Sequence, residues 1–184
     1  MSVSAVGYLP LIFTFVVCFC TNSIPALSDN NATDELVNEV CQNTTISDFC
    51  RTVIYSNPLA KNADRFTLAY IVFREAYTST SNVTDHIASW IETTKVGYKD
   101  ETLVGMKNCL RFYRWAVHSL GEALDNIYSD TYYELDRSAA NAEGYARDCE
   151  ASFNGRPSPM AVNNQDLIKY SKVCLAVSQL FPYD

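Results

Sequence analysis

Apolar residues recur along this chain in steps of three and four. One path runs Phe66, Ala69, Phe73, Ala76, Thr80, Val83, Ile87 and Trp90, and Thr80 is its one polar member. A second runs Leu103, Met106, Leu110, Tyr113, Val117, Leu120, Leu124 and Ile127. A third runs Tyr132, Leu135, Ala139, Ala142, Ala146, Cys149 and Phe153, and a fourth Leu167, Tyr170, Cys174, Val177 and Phe181. Such spacing places side chains on one stripe of an α-helix. Strict alternation gives the narrow seam along which the helices of a left-handed bundle meet. Four seams in succession predict four long helices, and the Ala-rich third can approach its neighbours closely.

The breaks between seams support this reading. The stretch 95–100, which contains Gly97, separates the first two helices. Ser129, Asp130 and Thr131 offer N-cap side chains for the third, and Asn154-Gly155-Arg156-Pro157-Ser158-Pro159 stops it. Short connections imply antiparallel neighbours and hence up-down-up-down order. Two shorter amphipathic pieces come earlier. One carries Leu36, Val37, Val40 and Cys41, the other Phe49, Cys50, Val53 and Ile54, with Thr44 and Thr45 between them and Asn57-Pro58 after. They predict a small helical hairpin over residues 29–60, followed by a four-helix bundle over 61–184. With only six Gly and six Pro in 184 residues, a turn-rich β fold is disfavoured. The expected class is all-α.

The N-terminus changes the cellular setting. The first 28 residues hold no Lys, Arg, Asp or Glu and include an apolar run from Leu9 to Cys20. That run suits a signal-peptide core and is too short to span a bilayer. Ala26 and Ser28 offer a cleavage site, so residues 1–28 are expected to be removed on secretion, leaving no membrane segment. Sequons at Asn31, Asn43 and Asn82 fit an extracellular route and are candidate glycosylation sites. Asn82 falls off its seam, on the expected solvent side.

Removal of the leader takes Cys18 and Cys20 and leaves Cys41, Cys50, Cys109, Cys149 and Cys174. In an oxidising compartment four would pair and one would remain. Helical geometry selects the pairing. Cys109 and Cys149 lie equally far on either side of Ser129, at the same height on two antiparallel helices. Cys174 fails that test. Measured from the break near Pro157 it falls opposite about Ala140, roughly 13 Å along the helix from Cys149. Cys41 and Cys50 flank the hairpin turn. The expected bridges are Cys41–Cys50 and Cys109–Cys149, with Cys174 a free, buried seam residue.

Charge and chemistry narrow the function. Fourteen basic against 21 acidic residues give a net charge of −7, which argues against nucleic acid and suits a basic protein partner or simple solubility. Two histidines, His86 and His118, form no metal-ligand cluster with Cys or Asp. No nucleophile elbow and no glycine-rich phosphate loop appears. Asp34-Glu35 and Asp100-Glu101 fall at expected helix starts, where the helix dipole explains them. The reading is therefore no catalytic residues, no cofactor, no metal and no enzyme. Of twelve tyrosines, Tyr70, Tyr77 and Tyr98 lie off the seams and could mark a recognition surface. Candidate partner contacts are exposed positions on the two middle helices: Tyr77, Lys107, Arg111 and Arg114.

The cysteine order and its neighbours resemble the plant invertase and pectin methylesterase inhibitor family. The likeness rests on Cys41 with Phe49-Cys50 and Asn57-Pro58, then Cys109, Tyr113, Ala116, Leu120 and Ala123. It continues through Cys149-Glu150, Phe153, Ser158-Pro159, Leu175-Ala176-Val177 and Leu180, and so covers residues 33–181 as a single inhibitor domain. It implies a hairpin on a four-helix bundle with these two disulfides. It also implies stoichiometric inhibition of an apoplastic carbohydrate-active enzyme. Pectin methylesterase, blocked by occlusion of its substrate cleft, is the first expectation, and invertase the second. The Pro-Lys-Phe tripeptide of family invertase inhibitors is absent, and the segment 142–148 departs from the Ala-Leu-Thr type. The reading from another class is a secreted helical binding or structural protein with no inhibitory role.

Overall fold

The computed structural model describes residues 29–95 and 100–182, with side chains from Thr33 onward. The expected leader at 1–28, Gly97, Tyr98 and the Asn31 side chain lie outside the described residues. The elements are α1 (Asp29–Gln42), α2 (Ser47–Tyr55), a 3₁₀ turn (Pro58–Asn62), α3 (Arg65–Thr93), α4 (Glu101–Tyr128), α5 (Leu135–Ala151) and α6 (Ala161–Ser178). No strand occurs among the described residues. The four long helices pack as a closed ring, α3 on α4, α4 on α5, α5 on α6 and α6 on α3.

Each bundle helix touches two neighbours, and this widens the buried stripe beyond the single seam. On α3, Leu68, Ile71 and Val72 are buried beside Ala69, Phe73 and Ala76. On α4, Gly105, Ala116, Ser119 and Ala123 join the seam residues inside. Seam members Val83, Trp90, Leu110 and Val117 are correspondingly half-buried. Gly105 is needed where it stands, because a Cβ there would sit 2.7 Å from the ring of Phe153. That close approach lets Phe153, beyond the end of α5, bury against the first turns of α4.

The seam ends behave differently from its middle. Phe66 is 40% exposed. It packs with Tyr132 at 5.1 Å and Phe181 at 5.7 Å between ring centroids, and Tyr132 stacks on Phe181 at 4.4 Å. These rings cap one end of the bundle instead of filling its core.

The local starts and stops are partly as expected. Asp100 caps α4, accepting a bond from the Leu103 N–H at 3.0 Å. Asp64 caps α3, accepting from the Thr67 N–H at 2.8 Å. Ser129, Asp130 and Thr131 do not cap α5. Their N–H groups close α4 instead, with Ser129 bonded to the Asp125 carbonyl and Thr131 to the Asn126 carbonyl. α5 begins after Glu134, which sits at φ 68° without a side-chain cap bond. Asp34 and Glu35 also miss their expected place, because α1 starts earlier, at Asp29. Asp34 instead accepts a hydrogen bond from the Tyr55 hydroxyl at 2.7 Å, tying α1 to α2.

The N-terminal hairpin lies on the α3 and α6 side of the bundle. Val37, Val40, Cys41, Cys50 and Ile54 form its buried face. Phe49 meets Tyr170 of α6 edge-on at 5.1 Å, and Thr33 donates to the Ala63 carbonyl at 3.3 Å. Cys41 and Cys50 are bridged with Cα atoms 5.6 Å apart, and Cys109 and Cys149 with Cα atoms 4.5 Å apart. Buried Ala139, Ala142 and Ala146 allow α5 that closeness. Cys174 is free and buried.

Candidate functional site

Reactive groups are held inert. Burial pushes the Cys174 thiol far above its ordinary value, and its sulfur faces the Val72 carbonyl at 3.9 Å. A thiol so protonated and enclosed is a packing side chain. Tyr113 is raised by burial, then by the carboxylates of Asp166 and Glu150. Its hydroxyl donates to Asn164 Oδ1 at 3.1 Å, and Asn164 Nδ2 donates to Glu150 Oε2 at 2.7 Å. This chain of bonds ties α4, α6 and α5 together through a buried amide. His86 and His118 are both exposed, and no group of His, Cys, Asp and Glu among the described residues could hold a metal ion. A groove of about 570 Å³ runs between α5 and α6 past Arg147, Arg156 and Asn164. Both of its arginines are already paired, Arg147 with Glu143 and Arg156 with Glu101.

What the middle helices present outward is more specific. Lys107, Arg111 and Arg114 are spaced by four and three, so they share the outer face of α4, and all three are exposed. The chain is acidic overall, yet this face is locally cationic. Its charge is opposite to the chain's net charge, from which the sequence suggested a basic partner. Tyr77 lies elsewhere. It is half-buried in the α3–α4 seam, where its ring would meet a Cβ on Gly121 at 3.6 Å. Gly121 is ten residues, about 15 Å, along the helix from Arg111. Tyr70 packs edge-on against Tyr128 at 5.8 Å.

The outward face of α4 continues into an aromatic ladder that stepping along the seams does not find. Phe112 meets Trp115 at 5.5 Å between centroids, and Trp115 meets Tyr145 of α5 at 5.6 Å. The Arg111 guanidinium sits 5.2 Å from the Phe112 centroid and 5.3 Å from that of Trp115. Trp115 stays 44% exposed. Arg and large aromatics gathered on a stiff support are the composition of interface hot spots, and cation–π contact draws the guanidinium against the two rings. Tyr145 is one turn from Cys149, so the Cys109–Cys149 bridge fixes the relative height of the two helices that carry the ladder. The sequence signal was available. Phe112 and Trp115 are three apart, off the seam and beside an arginine, but their lateral neighbour on α5 is visible only once the ring order is known.

Among the described residues, then, the chain is a bridged helical bundle with inert interior groups and a cationic, aromatic outer face on α4 and α5. The family model for the plant invertase/pectin methylesterase inhibitor matches residues 35–177, and the chain belongs to that family. Members of it inhibit enzymes and are not enzymes themselves. Among curated relatives, the chain is 30% identical over 156 residues to the "Pectinesterase inhibitor" of Actinidia deliciosa, covering 82% of each chain. It is 27% identical over 147 residues to "Pectinesterase inhibitor 2" of Arabidopsis thaliana, covering 78% of this chain and 83% of that one. Two solved structures share the fold. A pectin methylesterase inhibitor from Arabidopsis thaliana matches with a TM-score of 0.59 at 16% identity, over 82% of this chain and 98% of that one. A mutant form of such an inhibitor matches with 0.66 at 18% identity, over 80% and 98%.

Proposed function

We propose that this chain is a secreted inhibitor of pectin methylesterase that acts by covering the enzyme's substrate cleft. The observation that carries the choice of target is that both curated relatives above are named pectinesterase inhibitors. The mechanism rests on shape and chemistry. α4, with 28 residues, gives the face that carries the patch a rigid spine about 42 Å long, enough to lie across a groove that admits a polymer. No bond is made or broken. The Arg111–Phe112–Trp115–Tyr145 patch supplies the desolvated anchor, and Lys107 and Arg114 the surrounding charge. A stable complex of this kind buries roughly 1,200–2,000 Å² in total.

This reading takes residues 33–181 as one inhibitor domain, released to the apoplast after loss of the leader. No helix among the described residues is long and apolar enough to cross a membrane. The test is a titration of the oxidised, purified chain against pectin methylesterase and, in parallel, invertase. A sharp one-to-one endpoint with pectin methylesterase, and none with invertase, is expected. An endpoint with invertase alone would move the target to the other half of the family name, and no inhibition of either enzyme would end the inhibitor reading.

A further inference from the structure

The three sequons sit in different surroundings. Asn82 stands exposed on the solvent face of α3. Asn43 stands exposed at the turn of the N-terminal hairpin, directly beside α6. There a groove of about 510 Å³ runs between the turn and the helix, lined by Asn43, Thr44 and Thr45 on one side and Lys172, Leu175, Ala176 and Gln179 on the other. Its floor is apolar, from Leu175 and Ala176, and Leu175 is 38% exposed. Its ends are polar. Lys172 offers an ammonium donor, Gln179 an amide that both donates and accepts, and Thr45 a hydroxyl.

We infer that the first N-acetylglucosamine of a glycan on Asn43 folds back into this groove and fastens the hairpin to α6. The attachment point forms one wall, so the sugar is delivered at high effective concentration by its own covalent bond. A pyranose matches the lining, with an apolar ring face and an acetamido methyl for Leu175 and Ala176. Its ring hydroxyls and amide reach the polar groups at either end. Small-molecule sites have this make-up, a mostly apolar wall with a few placed polar groups. The acceptor geometry is also open. Thr44, the middle residue of the sequon, turns its hydroxyl inward to the Cys41 carbonyl at 2.9 Å, while Asn43 and Thr45 are both exposed. The inference rests on the secreted reading above, since an intracellular chain would carry no such sugar. It does not depend on which enzyme is inhibited.

The test uses the full chain secreted from a eukaryotic host. Glycopeptide mass analysis first reads occupancy at Asn43, and the folded protein is then acylated at lysine amines before and after enzymatic glycan removal. Removal is expected to raise Lys172 reactivity several-fold while leaving Lys61 unchanged. Asn43→Gln should reproduce the rise, and Asn82→Gln should not. Should Asn43→Gln fail to accumulate, the enzymatically trimmed protein supplies the same comparison on material that has already folded. A secreted chain with Asn43 unmodified, or one whose Lys172 labels equally with and without the sugar, would overturn the inference. A chain that is retained inside the cell would overturn the secreted reading instead.

Discussion

The N-terminal hairpin and the four-helix bundle each carry one disulfide, but the two bonds act on different structures. Cys109–Cys149 joins α4 and α5 inside a core that is already continuous and that includes Ala116, Ala142 and Ala146. Cys41–Cys50 closes a pair of helices of 14 and nine residues. Those helices bury one face against α3 and α6 and have little interior of their own. Isolated helices this short are marginal in water, so the hairpin depends on its bridge and its docking, and the bundle depends chiefly on packing. In the bundle the bridge also sets height between α4 and α5, and the Arg111–Phe112–Trp115–Tyr145 patch proposed for recognition straddles that pair. One bridge therefore sets the register of the proposed binding face, and the other supports local order.

Removing each bond separately tests that contrast. Cys109→Ala with Cys149→Ala opens a 40-residue loop, and the chain-entropy model gives about 4 kcal/mol of lost stability. The expected result is a large drop in thermal midpoint and weakened inhibition wherever α4 and α5 slip. Cys41→Ala with Cys50→Ala opens a loop of nine residues, for which the same model gives about 2.5 kcal/mol. Here hydrogen exchange should accelerate over residues 33–62 and stay slow in α4 and α5, and inhibition should persist. Equal loss of protection throughout the chain in the second variant would show that hairpin and bundle unfold as one unit, and the contrast would fail.

A substitution on the bundle's outer face separates recognition from stability. Trp115→Ala removes the centre of the ladder, and a desolvated aromatic anchor is worth about 2 kcal/mol in binding, roughly 30-fold in the inhibition constant. Trp115 is 44% exposed, so the melting temperature should scarcely move. A variant that inhibits as well as the parent would remove the patch from the interface. The matching change on the hairpin, Tyr55→Ala, deletes the exposed hydroxyl bonded to Asp34 and should leave inhibition alone.

The bundle was legible in the sequence to the extent that its determinants are local or symmetric. Period decided the four helices. Equal distance from Ser129 decided that Cys109 and Cys149 are level, and the same arithmetic set Cys174 opposite Ala140. The structure accordingly gathers Ala139, Ala140, Ser171 and Leu175 along one shallow groove. What was not legible depends on lateral order or on competition between neighbouring ends. Ser129 and Thr131 are good cap residues by type, but they lie in the turn that closes α4, and α5 begins only after Glu134. Phe66 and Phe181 obey the seam spacing and still lie at the bundle's end, where there is no third layer to cover them. Tyr77 is off its seam yet half-buried, because the ring of helices gives α3 a second contact edge. The ladder was hidden for the same reason, since Tyr145 belongs to it only through the adjacency of α4 and α5.

The joint between the two regions should have the smallest effect and a distinct pH signature. Asp64 ends the 3₁₀ connection and caps α3, and its carboxyl is held below the usual range first by the Thr67 N–H, with burial opposing. A folded-state pKa below the unfolded one means the contribution is present above the unfolded value, near 4. It is lost as pH falls through the folded one. Asp64→Ala should cost about 1 kcal/mol at neutral pH, the usual cost of losing a cap. Asp64→Asn keeps an accepting oxygen and should cost less. It should also erase this residue's part of the acid destabilisation, a few tenths of a kcal/mol, because the carboxylate is exposed and solvent-screened. The measurement is the urea midpoint of the three proteins between pH 2 and 7. If parent and Asp64→Asn keep a constant difference down to the lowest pH, the cap is acting through geometry alone. The ordering of α3 on the hairpin would then owe nothing to charge.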